Sequence, residues 1–185
     1  MTRLDGDRSE PGDGLTRRTN APDPRPSAFA LEHVGFDDPR AVALRAEMDA
    51  EMDVRYSPSR APQLEAEIHR VLQIDPATIL STVLAVDQDG VAVAHAALRR
   101  HGDDLEVKRV IVAAQRRGAG LGRLVMNELE RIARNAGAPR LILQTGDRQP
   151  EAVALYVRLG YTPIPIFEPY AAVMPFSLCF EKSLT

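Results

Sequence analysis

Val110-Ile111-Val112-Ala113-Ala114-Gln115-Arg116-Arg117-Gly118-Ala119-Gly120-Leu121-Gly122-Arg123 is the stretch that decides the fold. A β-branched apolar run stops at two alanines and a basic Gln115-Arg116-Arg117. Three glycines then alternate with Ala119 and Leu121 before a helical pattern begins. The reading is strand, loop, helix start. Glycines let backbone approach a ligand and turn its N–H groups toward one point. The first turn of the following helix adds unpaired donors and a positive dipole end, so the stretch reads as a cradle for a phosphate or pyrophosphate. A P-loop is excluded because no Gly-Lys-Ser/Thr is present, and the glycine spacing is not that of the dinucleotide fingerprint. A glycine-rich turn without a ligand remains the alternative on these residues alone.

Working back from Val110, the run Leu105 to Val112 is a strand preceded by turn residues His101-Gly102-Asp103-Asp104. Val91 to Leu98 and Thr78 to Asp87 are two more strands separated by Gln88-Asp89-Gly90, so three strands form an antiparallel meander. Two helices precede them. Ala41, Leu44, Met48 and Met52 recur at three- and four-residue steps after the Asp37-Asp38-Pro39 start signal, and Leu64, Ile68, Val71 and Leu72 mark a second helix from Gln63 to Gln73. Phe29, Leu31 and His33 alternate as a first strand. Met1 to Pro26 has only Leu4 and Leu15 as large apolar residues, which predicts a flexible tail, with one domain over 27–185.

Working forward from Arg123, Leu121, Leu124, Val125, Leu129, Ile132 and Ala136 share one helix face that ends at Gly137. Leu141 to Leu143 is a short buried strand, and Pro150 to Leu159 is a helix with Gly160 at its end. Tyr161 to Ile166 and Ser177 to Lys182 read as closing strands joined by a loop.

The 185 residues, 44% of them apolar, can bury one real core. A net charge of −3 argues against a nucleic-acid surface. Cys179, the single cysteine, excludes an internal disulfide and a multi-cysteine metal site and fits a reducing compartment. No apolar run reaches transmembrane length and no secretory h-region stands at the N-terminus, so a cytoplasmic protein without membrane contact is expected. The histidines His33, His69, His95 and His101 lack ligand spacing, so no metal is expected.

The order of elements and the residues from Glu106 to Tyr161 resemble the GCN5-related N-acetyltransferase (GNAT) family. Its acyl-CoA signature, Gln/Arg-x-x-Gly-x-Gly/Ala, is met by Gln115-x-x-Gly118-x-Gly120 and, two residues on, by Arg117-x-x-Gly120-x-Gly122. A second family pattern corresponds to Gln149-Pro150-Glu151-Ala152-Val153-Ala154-Leu155-Tyr156 and Gly160-Tyr161, with Gln149 where asparagine is usual. Glutamine keeps the amide and adds a methylene.

The resemblance implies an α/β fold of the α+β kind, with a mixed, mostly antiparallel sheet flanked by helices. It also implies a splayed strand pair, the strand ending at Val112 and that at Leu141 to Leu143, holding acetyl-CoA as co-substrate. Backbone of Val110, Ile111 and Val112 would pair with the pantetheine arm. The pyrophosphate would lie on the loop, for which Gln115, Arg117, Gly118, Ala119, Gly120, Leu121, Gly122 and Arg123 are the candidates, with Gln149 opposite. Tyr156 occupies the family's general-acid position, with packing onto the sheet as its alternative role. Glu106 is the candidate base, and by strict alternation shares a face with Lys108, Val110 and Val112. A surface pair with Lys108 is its alternative role.

The activity implied is N-acetyl transfer to a primary amine, first of a small molecule such as an amino acid, polyamine or aminoglycoside-like compound. A protein N-terminus or lysine is the second acceptor class, and a non-catalytic acyl-CoA-binding regulatory module is the rival from another class. Glu47, Glu51, Tyr56, Glu168 and Tyr170 are the acceptor-site candidates. Members of the family are often dimers, so a homodimer is implied as well.

Overall fold

The computed structural model describes residues 28–56 and 61–185; the expected tail lies outside them. Their centre is a sheet in the order β1-β2-β3-β4-β5-β7-β6. The strands are β1 (Phe29–Val34), β2 (Ile79–Asp87), β3 (Ala92–His101), β4 (Asp104–Val112), β5 (Arg140–Thr145), β6 (Thr162–Ile164) and β7 (Leu178–Ser183). Neighbours run antiparallel except β4 and β5. That parallel pair is joined only from Leu105 opposite Leu141 to Val107 opposite Leu143. Beyond those pairs both strands continue, and the gap between them is the expected splay.

Helix α3 (Leu121–Asn135) buries Leu121, Val125, Met126, Leu129 and Ala133 on one sheet face, joined there by Leu155 and Tyr156 of α4 (Pro150–Arg158). This three-and-four spacing is a continuous apolar stripe. Each fully buried leucine in it contributes about 1.5–3 kcal/mol of transfer free energy. The opposite face takes α1 (Pro39–Tyr56), whose Ala41 and Leu44 pack on Leu84, Val86 and Ile111. Asp38 caps α1 by accepting from the Arg40 backbone N–H at 2.9 Å. A third cluster joins α2 (Pro62–Leu72) to α5 (Tyr170–Val173), the latter a one-turn helix inside the expected closing loop.

Strand β4 contains a bulge at Arg109. The β3 register skips there, from Ala97 opposite Lys108 to His95 opposite Ile111. Arg109 itself has φ 55, the left-handed region, uncommon for a non-glycine residue. The bulge reverses the alternation expected from sequence. Val110 and Val112 join the α3 face with Leu105 and Val107, while Ile111 turns to the α1 face. Glu106 and Lys108 therefore do not share a face with Val110 and Val112.

A buried histidine holds the bulge. The Arg45 guanidinium can only donate, so His95 Nε2 accepts from it at 3.1 Å and Nδ1–H donates to the Arg109 carbonyl at 2.7 Å. Burial pushes the His95 pKa down to about 4, keeping the ring neutral.

Candidate active site

Two cavities open into the splay. The first, about 430 Å³, is lined from α1 by Met48, Asp49, Met52, Asp53 and Tyr56, from α2 by Glu65, Ile68, His69 and Leu72, and from β4 by Val107 to Val110. Gln73, Gln144, Thr145, Gly146, Met174 and Phe176 line it as well. The second, about 610 Å³, is lined by Val110 to Val112, by Arg117, Gly118 and Gly120 to Arg123, and by Ala152, Leu155 and other residues of α4. Met48, Met52, Val110, Gln149 and Tyr156 line both. A donor in one cavity and an acceptor in the other would meet at these residues.

The second cavity has the form of an anion cradle. Gly118 and Gly120 have φ 83 and 80, with open space where a Cβ would stand. Gly120 caps α3 in the left-handed conformation and no side chain caps the helix. Its first-turn N–H groups are thus left for a ligand. Gly122 is needed for another reason: a Cβ there would lie 3.0 Å from Leu155 Cδ2, so α4 can approach α3 closely.

Arg117 reaches across to α1. It donates to Glu51 Oε1 at 3.2 Å and to Oε2, while its Nε donates to the Val112 carbonyl at 3.2 Å. The Arg117 hydrogen bond holds the Glu51 carboxyl below the usual range. Gln115 is exposed in the 3-10 turn Ala114–Arg116, and neither it nor Ala119 lines the cavity. Of the two sequence registers, the one beginning at Arg117 has Arg117, Gly120 and Gly122 on the cavity, and the one beginning at Gln115 has Gly118 and Gly120 there.

Tyr156 is buried on α4 against Tyr161 and Phe180, and burial raises the pKa of its hydroxyl. It remains a proton donor at neutral pH. Gln149 stands at the N-cap of α4, beside Gly146. Tyr56 braces the same corner: its hydroxyl accepts from the Arg148 N–H at 3.0 Å and fills the space where a Gly146 Cβ would be.

Glu106 does not reach either cavity. It is fully buried; its Oε2 accepts from Arg99 Nε at 2.7 Å and Oε1 from the Tyr170 hydroxyl at 2.6 Å. The Arg109 bulge puts it on the sheet face opposite Val110 and Val112, where strict alternation had it beside them. Tyr170 is likewise buried in this cluster, and Glu47 and Glu168 line neither cavity. Glu51 lines the cradle, and only Tyr56 of the expected acceptor residues lines the first cavity.

Residues 43–161 match the family described as acetyltransferase (GNAT). The chain belongs to that family. Its structure resembles that of a protein described as an acyl-CoA N-acyltransferase from Klebsiella pneumoniae subsp. pneumoniae. Identity is 30% with a TM-score of 0.70, over 85% of this chain and 98% of that one. A PaiA N-acetyltransferase of Thermoplasma acidophilum, solved with coenzyme A, shares the fold at 13% identity and TM-score 0.62, over 84% and 98% of the two chains. In sequence, the IAA acetyltransferase of Azospirillum brasilense is 40% identical over 79 residues, 43% of this chain and 51% of that protein. The uncharacterized N-acetyltransferase YobR of Bacillus subtilis (strain 168) is 38% identical over 58 residues, 31% of this chain and 24% of its own length. The chain thus spans about half or less of these two curated relatives.

A GNAT family site is expected to hold an acyl-CoA, and the cradle fits one. Its glycines, uncapped helix start and Arg117 suit a pyrophosphate, and the edge of β4 from Val110 to Val112, which β5 does not pair, suits a pantetheine arm. Among the described residues no cluster of His, Cys, Asp or Glu could hold a metal ion, and no helix is long and apolar enough to cross a membrane. Sequence reasoning missed Arg45, His95, Arg99 and Lys108 as residues that shape the site. His95 and Lys108 offered one signal, a charged or polar residue at an inward position of a strand.

Proposed function

We propose that this chain transfers the acetyl group of acetyl-CoA to the primary amine of a small molecule by direct attack in a ternary complex. The observation that carries this reading is the meeting of the two cavities at Val110, Gln149 and Tyr156. Bound acetyl-CoA supplies the thioester. The backbone of Val110 to Val112 orients it, and N–H groups there stabilise charge developing on its carbonyl oxygen. Tyr156 gives a proton to the departing sulfur and is reprotonated by the proton that the attacking nitrogen releases as the amide forms.

The wall of the acceptor cavity carries both signs of charge, Lys108 and Arg109 against Asp49, Asp53 and Glu65, with Arg109 paired to Asp49. Glu106 has another task, holding Arg99 and Tyr170, and no proton transfer is assigned to it. The first cavity is walled by α1, α2, Met174 and Phe176, which favours a small acceptor over a protein segment. The cytoplasm, a reducing compartment, fits this reading and the free thiol of Cys179.

Acetylation of an amine panel, read by mass spectrometry, tests this. Tyr156→Phe is expected to lower kcat about 10²-fold while acetyl-CoA still protects against thermal unfolding. Failure of every amine with tight acetyl-CoA binding would instead show a non-catalytic acyl-CoA-binding module.

A further inference from the structure

We propose that Lys108, in the wall of the first cavity, binds a carboxylate of the acceptor, so that the acetylated amine belongs to an amino acid rather than to a simple amine. This rests on the acetyl-transfer reading and narrows its substrate class.

The argument begins with an unbalanced charge. Arg99, Glu106, Lys108 and Tyr170 form one buried cluster with two cations and a single carboxylate. Glu106 is committed to Arg99, whose terminal nitrogen lies 2.6 Å from Oε2. Its other oxygen accepts from the Tyr170 hydroxyl and lies 3.4 Å from Lys108 Nζ. The shortest bond of Lys108 is to a neutral phenol, the Tyr170 oxygen at 2.7 Å, which also accepts from Arg99 at 3.1 Å. His101, with Nδ1 3.6 Å from Glu106, brings no negative charge.

An ammonium has three donors, and these contacts use two directions at most. Lys108 is 6% exposed and lies in the cavity wall. A buried ammonium that shares its one carboxylate with Arg99 is under-compensated, and a ligand carboxylate removes that cost.

The other charged groups of the cavity divide the ligand into ends. Asp49 is taken by Arg109, and both line the cavity. Asp53 and Glu65 lie on exposed surfaces of α1 and α2, where solvent screens them, and neither contacts Lys108. The buried cation therefore dominates over the exposed acids at the wall. Burial lowers the Lys108 pKa to about 8, so the group is still mostly cationic at neutral pH. With its carboxylate on Lys108, the acceptor leaves its amine to face Val110 and Tyr156.

Matched acceptors test the proposal: leucine against its methyl ester and isoamylamine, and phenylalanine against its methyl ester and phenethylamine. The wild-type protein is expected to favour each free acid by at least about tenfold in kcat/KM, and Lys108→Met to bring that ratio near one. Equal rates in the wild type, a ratio retained in Lys108→Met, or an equal slowing of all acceptors in that variant would each overturn it. Lys108→Gln, with its fold checked by thermal protection from acetyl-CoA, repeats the comparison with a polar replacement. If no amine is acetylated, the acetyl-transfer reading fails by itself. The carboxylate site is then read by thermal shift at saturating CoA. A shift with leucine but not isoamylamine, lost in Lys108→Met, supports it, and no shift with leucine overturns it.

Discussion

His95 is a single buried ring on which the geometry of the reacting strand depends. Its Nδ1–H is the donor that meets the Arg109 carbonyl at the bulge, and the left-handed Arg109 backbone carries about 1–3 kcal/mol of strain that such contacts must offset. His95→Leu leaves that carbonyl without its donor, a loss of about 1–3 kcal/mol. The strand edge at Val110 to Val112 should then shift, raising KM for acetyl-CoA and lowering kcat. His95→Asn, which returns an N–H near the Nδ1 position, is expected to recover part of both; equal damage from the two variants would remove the positioning role. The same ring predicts a pH dependence. Its folded pKa of about 4 lies below the unfolded value near 6.5, so the unfolded chain binds more protons between those values. Stability is thus fully present above about pH 6.5 and falls as pH drops toward 4, by about 3 kcal/mol in total. Urea midpoints between pH 7 and 4.5 should show this slope in the wild type and a flatter one in His95→Asn. Lys108 gives the opposite test of charge balance. Lys108→Met leaves the Arg99–Glu106 pair intact and removes the surplus cation, so stability at pH 7 should rise by about 1 kcal/mol, read as a higher urea midpoint.

Elements rather than residues decide how closely the two cavities meet. α3 and α4 touch at Gly122, where a Cβ would press on Leu155, the neighbour of Tyr156. Gly122→Val should therefore displace α4, costing about 1–3 kcal/mol of stability and raising KM for acetyl-CoA at least about tenfold. Chemical denaturation and initial rates measure the two effects; an unchanged KM would show that the α3–α4 contact does not shape the cradle. These elements were largely legible in the sequence. The stripe from Leu121 to Ala133 has a helix period, the three strands before the glycines have turn residues between them, and the glycine loop marks its own function. The bulge was not legible, because Arg109 is no glycine and nothing in a run of β-branched residues shows where the register skips. That one skipped residue is why Glu106 was expected on the face of Val110 and Val112 and lies instead on the opposite one. The short α5 was hidden too, since four residues carry no period, and with it the tertiary contact that brings Tyr170 to Glu106 and Lys108.

At the scale of the whole molecule, α1 ties the acceptor side to the cradle. It lines the first cavity through Asp49, Asp53 and Tyr56 and the second through Glu51, and Glu51 holds Arg117 of the phosphate loop. Arg55, one turn on, donates to Glu51 at 2.7 Å and also binds Glu151 of α4, so the tie spans three elements. The Glu51–Arg117 pair is partly exposed, with 32% and 46% of the side chains open to solvent, and a pair of that kind contributes about 0.2–1 kcal/mol. It is weak enough for a pyrophosphate to displace. Binding of the donor would then exchange a carboxylate for a phosphate on Arg117 and release α1 at that point. Glu51→Gln removes the competitor and keeps the shape. Its dissociation constant for CoA, measured by calorimetry, is expected to fall about threefold at low salt, with the gain shrinking as ionic strength rises. Weaker binding in Glu51→Gln would mean the reverse, that the carboxylate holds Arg117 in the pose the phosphate needs.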